Sequence, residues 1–197
     1  MKTIRIGSGA GYAGDRIEPA MELIEKGNLD YIIFECLAER TVAIGQQDKE
    51  KDSEKGYNQL LEYRMKKILP LLFHNHVKMI TNMGAANPKA AARQTKKIAE
   101  ELGISGLKIA CVTGDDITDK LEKYMDNIVL ENGKQLGGLR DSLISANVYM
   151  GLEGIQEALA GQADIVITGR VSDPALSIGP LVHEFEWDLE NNPDQMG

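Results

Sequence analysis

Apolar residues fall into short blocks separated by polar, glycine-punctuated stretches, and one arrangement occurs three times. Glu18 to Lys26 leads through Gly27 to Tyr31-Ile32-Ile33-Phe34. Pro88 to Leu102 leads through Gly103 to Lys108-Ile109-Ala110-Cys111-Val112. Leu152 to Ala160 leads through Gly161 to Asp164-Ile165-Val166-Ile167. A glycine just past a helix takes the left-handed conformation that other residues adopt reluctantly, so each block predicts helix, stop and strand. Asn87-Pro88 marks a helix start, with a capping side chain before a proline at the first helical position. An opening strand at Thr3 to Ile6, a helix from Tyr57 to Phe73 followed by a strand at Val77 to Ile80, and a strand at Leu143 to Tyr149 complete the order. Short apolar strands without a polar alternate face need helices on both sides. The expected class is α/β, a mainly parallel, Rossmann-like sheet with helices on both faces, and residues 1–197 read as a single α/β domain.

Two stretches depart from this order. Asp48 to Lys55 is a mixed charge run that reads as a solvated loop or helix lead-in. Around Gly133 to Gly138 the chain is polar and glycine-rich, which marks an excursion between elements, and a helix is expected to start near Ile117.

Composition narrows the function. Hydrophobic residues at 43% and charged residues at 26% are ordinary for a globular protein and exclude a disordered or collagen-like chain. Against 22 Lys and Arg stand 30 Asp and Glu, a net charge of −8. That balance repels a phosphate polyanion, and no basic stripe reverses it, so no nucleic-acid partner is expected. No apolar run approaches the ~20 residues needed to cross a bilayer, so no membrane span is expected. Cys36 and Cys111 show no pairing motif, and Met1-Lys2-Thr3-Ile4 runs into a strand without a signal-peptide core. A cytoplasmic protein with reduced thiols is expected.

Four loops that follow predicted strands carry the candidate chemistry. The first, Gly7 to Gly14, contains G-x-G-x-x-G from Gly9 to Gly14, with Glu35 following 21 residues later. A dinucleotide site, an anion held by loop amides such as those of Gly9 and Gly11, and a structural turn all suit it. Asp15-Arg16 and Pro19, where a dinucleotide helix would already be under way, speak against the first. In the second loop, Thr81 to Pro88, the small residues around Asn82, Gly84, Ala85 and Asn87 would let amides at a helix start approach an anion, or simply cap the helix. The third, Thr113-Gly114-Asp115-Asp116, pairs carboxylates that could divide into acid and base or merely favour a first helical turn. The fourth, Thr168-Gly169-Arg170-Val171-Ser172-Asp173-Pro174, offers a guanidinium able to grip a carboxylate or phosphate. His74, His76 and His183 do not make a zinc set, which leaves no metal assigned and His183 as an isolated acid or base. Loops leaving the carboxyl ends of parallel strands collect on one rim, and ligands bind there where the strand order reverses. The four loops are therefore expected to converge on one hollow.

Ile4 to Arg16 (IRIGSGAGYAGDR), Asp30-Tyr31 with Leu37-Ala38-Glu39-Arg40-Thr41, Thr81 to Pro88 (TNMGAANP), Val112 to Asp116 (VTGDD), Ile167 to Pro174 (ITGRVSDP) and Gly179 to Trp187 (GPLVHEFEW), in this order, resemble the acyclic terpene utilisation AtuA-like family. The resemblance implies a bacterial protein associated with breakdown of branched acyclic terpenoids through acyl-CoA intermediates; it assigns neither a reaction nor catalytic residues, and the cofactor is unknown. Family members are typically over twice as long, so the match implies an amino-terminal part, and Asn192-Pro193-Asp194 reads as an interrupted helix start. Two functions follow as expectations. One is an enzyme acting on an anionic small molecule such as an acyl-CoA, with Arg170 and the amides of Gly9, Gly11, Gly84 and Ala85 holding it and Asp115, Asp116 or His183 moving protons. The other is a non-catalytic subunit or ligand-binding partner of a catabolic complex, assembling with itself or another chain. A nicotinamide dehydrogenase is a third reading, based on the first loop alone.

Overall fold

The computed structural model describes residues 2–188; the helix start at Asn192 lies outside them. Five strands form one sheet: β1 (Ile6–Ala10), β2 (Tyr31–Phe34), β3 (Lys78–Thr81), β4 (Ile109–Val112) and β5 (Ile165–Thr168). All pairings are parallel, in the order β1-β2-β3-β5-β4. Every residue of β2 and β5 is buried, as strands covered on both faces require.

Among the described residues are six α-helices, α1 (Glu18–Lys26), α2 (Glu39–Lys51), α3 (Leu61–Asn75), α4 (Pro88–Glu101), α5 (Glu153–Ala160) and α6 (Ala175–Phe185), of which all but α2 contribute to the clusters that cover the sheet. The period-two alternation of the strands sorts them. Ile32, Phe34, Met79, Ile165 and Ile167 pack with Ile24 of α1, Met65 and Ile68 of α3 and Ile98 of α4. Tyr31, Ile33, Ile80 and Val166 pack with Ile155 and Leu159 of α5 and Leu176 and Val182 of α6 on the other face. The chain steps in one direction from β1 to β4, passing over the β5 position, then turns back to insert β5 beside β3. Right-handed crossovers place the helix of the returning step on the opposite face. The order therefore reverses between β3 and β5.

Several local expectations shift. The first strand begins at Ile6, later than Thr3, and extends through Gly7, Ser8 and Gly9, with the register to β2 broken between Ser8 and Ala10. The third helix begins at Leu61, and the charge run from Asp48 forms the end of the unforeseen α2. Of the three glycine stops only Gly103 has a left-handed φ, +70°; after α1 and α5 the following residues, Asn28 and Gln162, take that conformation. Asn87 caps α4 as expected, accepting the Ala90 N–H at 3.2 Å. Between β4 and α5 the chain makes a long excursion with two 3-10 segments, Thr118–Tyr124 and Leu136–Ser142; the helix expected near Ile117 is the first of these, with Ile117 at its cap. The strand expected at Leu143 to Tyr149 does not form. That run lies outside the sheet and makes one single bridge, Asn147 with Asp116, while Met150 just beyond it bridges Val171.

Candidate functional site

Because all five strands are parallel, the four loops leave from one rim, and two of them meet at the reversal point. A β-carbon on Gly84 would stand 2.5 Å from the Thr168 carbonyl oxygen, so the loop after β3 lies in main-chain contact with the end of β5. The crevice there is filled with protein: Thr81, Asn82 and Thr168 are fully buried. Asn82 accepts the Cys36 N–H at 2.6 Å and donates to Glu35 at 2.9 Å, tying β3 to the end of β2. Asp115 is 3% exposed, accepts the Arg170 N–H at 2.8 Å and the Asn147 side-chain amide at 3.0 Å, and sits where a Gly169 β-carbon would be.

Arg170 is just as deeply enclosed. Its guanidinium donates to the Val171 carbonyl at 2.9 Å, the Leu37 carbonyl at 2.9 Å and the Asp173 carboxylate, with the Tyr149 ring 4.5 Å from its centre. Three of the predicted loops thus join in one polar knot that reaches the β2–α2 connection.

The other predicted residues take separate places. Gly9 lies in β1 under the Phe34 ring, and the Gly11 N–H donates to the Asp15 carboxylate at 2.8 Å, so the protein's own anion holds that amide. β1 is an edge strand, whereas a dinucleotide fold places its first strand beside the reversal. Asn87 caps α4 and also donates to the Ser53 and Lys55 carbonyls. The Ala85 N–H donates to the Asn82 carbonyl at 3.1 Å. Gly114 follows β4 with φ +127°, against Met150. Burial pushes the Asp116 carboxyl up, but hydrogen bonding with Thr118 and the Lys49 ammonium at 3.5 Å outweigh it and leave the group below its ordinary value. His183 lies on the far rim beside Lys78, Lys108 and Asp164, at the starts of β3, β4 and β5. It cannot act together with Asp115 or Asp116.

A cavity of about 260 Å³ opens on the carboxyl rim beside this knot. Its walls are residues 12–14 after β1, Cys36 and Leu37 after β2, one face of α2 from Thr41 to Asp48, residues 57–60 before α3, and Ala85. Leu37, Val42, Ala85 and Ala86 form a small apolar cluster at this place. Only Ala85 among the predicted contact residues lines it. A larger hollow of about 520 Å³ runs along the free edge of β4 and α5. It is a groove at the sheet margin that none of the convergent loops encloses except at Thr113, so we place the candidate site in the rim cavity.

Beneath Cys36 lies Arg64 of α3, 1% exposed. It donates to the Cys36 sulfur at 3.1 Å, the Met83 sulfur at 3.6 Å and the Asp15 carbonyl at 2.8 Å, and pairs with no carboxylate among the described residues. The nearby Asp15 and Glu35 carboxylates are engaged by the Gly11 and Leu37 amides and by Asn82. Burial pushes the Cys36 thiol up to about 11 even against the neighbouring guanidinium, so sulfur does not supply the counter-charge at neutral pH.

Among the described residues no group of His, Cys, Asp and Glu is placed to hold a metal ion, and no helix is long and apolar enough to cross a membrane. No curated protein and no solved structure matches the chain significantly. The family model described as acyclic terpene utilisation family protein AtuA matches residues 4–197, nearly the whole sequence, and the chain belongs to that family.

Proposed function

We propose that the chain binds an anionic small molecule with an apolar tail, such as an acyl-CoA intermediate of branched terpenoid breakdown, and that the tail occupies the rim cavity. The observation that carries this reading is Arg64, a sealed guanidinium without a carboxylate partner behind the cavity wall. At an effective dielectric of about 20, an anion on the rim about 12 Å from it gains about 1.4 kcal/mol. At about 30 Å³ per water-sized unit, the 260 Å³ cavity holds about nine such units. That is room for a branched acyl chain, with any nucleotide left outside on the rim. The family's name, acyclic terpene utilisation, agrees with a tail of this kind.

Binding without turnover is the second reading, supported by one observation: Asp115, Asp116 and His183 do not line the cavity. Asp48, beside Gln59, is the acid that does. Calorimetric titration with octanoate and octanoyl-CoA, together with an assay for released CoA thiol, tests both readings. The wild type should bind octanoyl-CoA. Ile44→Trp, which fills the cavity from a partly exposed position, should abolish binding without loss of stability, and Arg64→Met should weaken it about tenfold, the equivalent of 1.4 kcal/mol. Binding that is absent in the wild type, or unchanged in Ile44→Trp, would refute the placement; thiol release would decide for turnover.

A further inference from the structure

We propose that Arg170 and Tyr149, which lie outside the rim cavity, are its positioning residues: they fix the Cys36–Leu37 wall and bind it to the excursion between β4 and α5. The inference rests on the cavity reading above for its relevance to ligand, but its physical content is a coupling between two segments of the free protein.

Arg170 has little freedom. Its main-chain N–H is held by Asp115 and its side chain donates in three directions, to Val171, Leu37 and Asp173. A planar guanidinium whose donors are spent this way acts as a rigid bracket. One arm of the bracket ends on the carbonyl of Leu37, a residue of the cavity wall. The Tyr149 ring covers the guanidinium at 4.5 Å, a cation–π contact strengthened by the enclosure of Arg170. The Tyr149 hydroxyl donates to Glu39, the first residue of α2. The same helix carries Thr41, Ile44, Gly45 and Asp48 into the cavity. Leu37 and Glu39 are thus gripped on either side of one short connection.

The excursion that supplies Tyr149 has no core of its own. From residue 113 to residue 150 only Asp115 is buried, and Leu130 is 92% exposed. Its return limb is held at this same knot, by Asn147 to Asp115, by the Val148 N–H to the Asp115 carbonyl at 2.8 Å, by Tyr149, and by the bridge between Met150 and Val171. Segments with few buried contacts open locally at low cost. Loosening the excursion at Tyr149 therefore loosens the cavity wall, and a ligand that orders the wall orders the excursion.

Amide hydrogen exchange on the full chain tests this. Tyr149→Ala, a change at an exposed side chain, should raise exchange about tenfold in residues 36–45 as well as in residues 143–150, while β3 and α4 stay as in the wild type. Tyr149→Phe, which keeps the ring over Arg170 and loses the bond to Glu39, should fall between the two. Glu39→Gln, which keeps an acceptor for the hydroxyl, should restore wild-type protection. In titrations, Tyr149→Ala should weaken octanoyl-CoA without lowering the melting temperature. Wild-type exchange in residues 36–45 of Tyr149→Ala, with the excursion alone released, would overturn the proposal. Exchange needs no ligand, so failure of octanoyl-CoA to bind the wild type would refute the ligand reading and leave the exchange result to decide the coupling.

Discussion

Cys36 keeps its proton well into the alkaline range because burial disfavours the thiolate more than Arg64 favours it. An unfolded thiol ionises near its ordinary value of 9.0 and the folded one near 11, so the folded state holds its proton across that window. The contribution to stability is complete below pH 9 and is lost as pH rises through 11. That difference corresponds to roughly 3 kcal/mol. Urea unfolding of the wild type should lose up to about 2–3 kcal/mol more than Cys36→Ser between mildly and strongly alkaline buffer; equal losses in both would mean that the thiol is not sealed against Arg64. Arg64 itself was visible in the sequence as a charge on the buried stripe of Leu61, Met65 and Ile68. A search for chemistry confined to strand-end loops passes over it, since helical periodicity treats one charge in a stripe as an irregularity. Arg170, a cation directly after a buried strand, reads in the sequence as a ligand contact, whereas its donors go to the protein's own Val171, Leu37 and Asp173. Its partners could not be foreseen, because Leu37 is 133 residues away in sequence.

At the scale of elements, the contact between the β3–α4 and β5–α6 connections depends on Gly84, which leaves no room for a side chain against a main-chain oxygen 2.5 Å from its β-carbon position. Gly84→Ala must push the two connections apart and should cost about 1–3 kcal/mol in chemical unfolding. An unchanged midpoint would mean that the connections are not packed as described. Strands β2 to β5 were readable because short apolar runs bounded by helix stops have few other interpretations. The helix α2 was not, since only Val42 and Gly45 of its thirteen residues are buried and no apolar stripe exists to be seen. The opposite error occurred at Leu143 to Tyr149, where apolar residues suggest a strand, yet a strand also needs a neighbour in register. There the chain crosses the rim, fastened by Asn147 to Asp115 after β4 and by Tyr149 to Glu39 of α2.

For the molecule as a whole, the order β1-β2-β3-β5-β4 separates two things that the sequence presented together. The glycine-rich loop follows an edge strand and its Gly11 amide is occupied by Asp15, while the reversal of strand order lies at β3 and β5, where the protein packs against itself. Three of the four loops converge, not on a hollow but on a filled knot of Asp115, Arg170 and Asn82, and the open space lies to one side, under α2. Methyl-resolved NMR of the chain titrated with octanoyl-CoA tests this placement most directly. Shifts confined to Leu37, Ile44, Leu60 and Ala85 are the expected result; shifts at Val112 and Ala158 along the β4 groove, or none at any methyl, would contradict it.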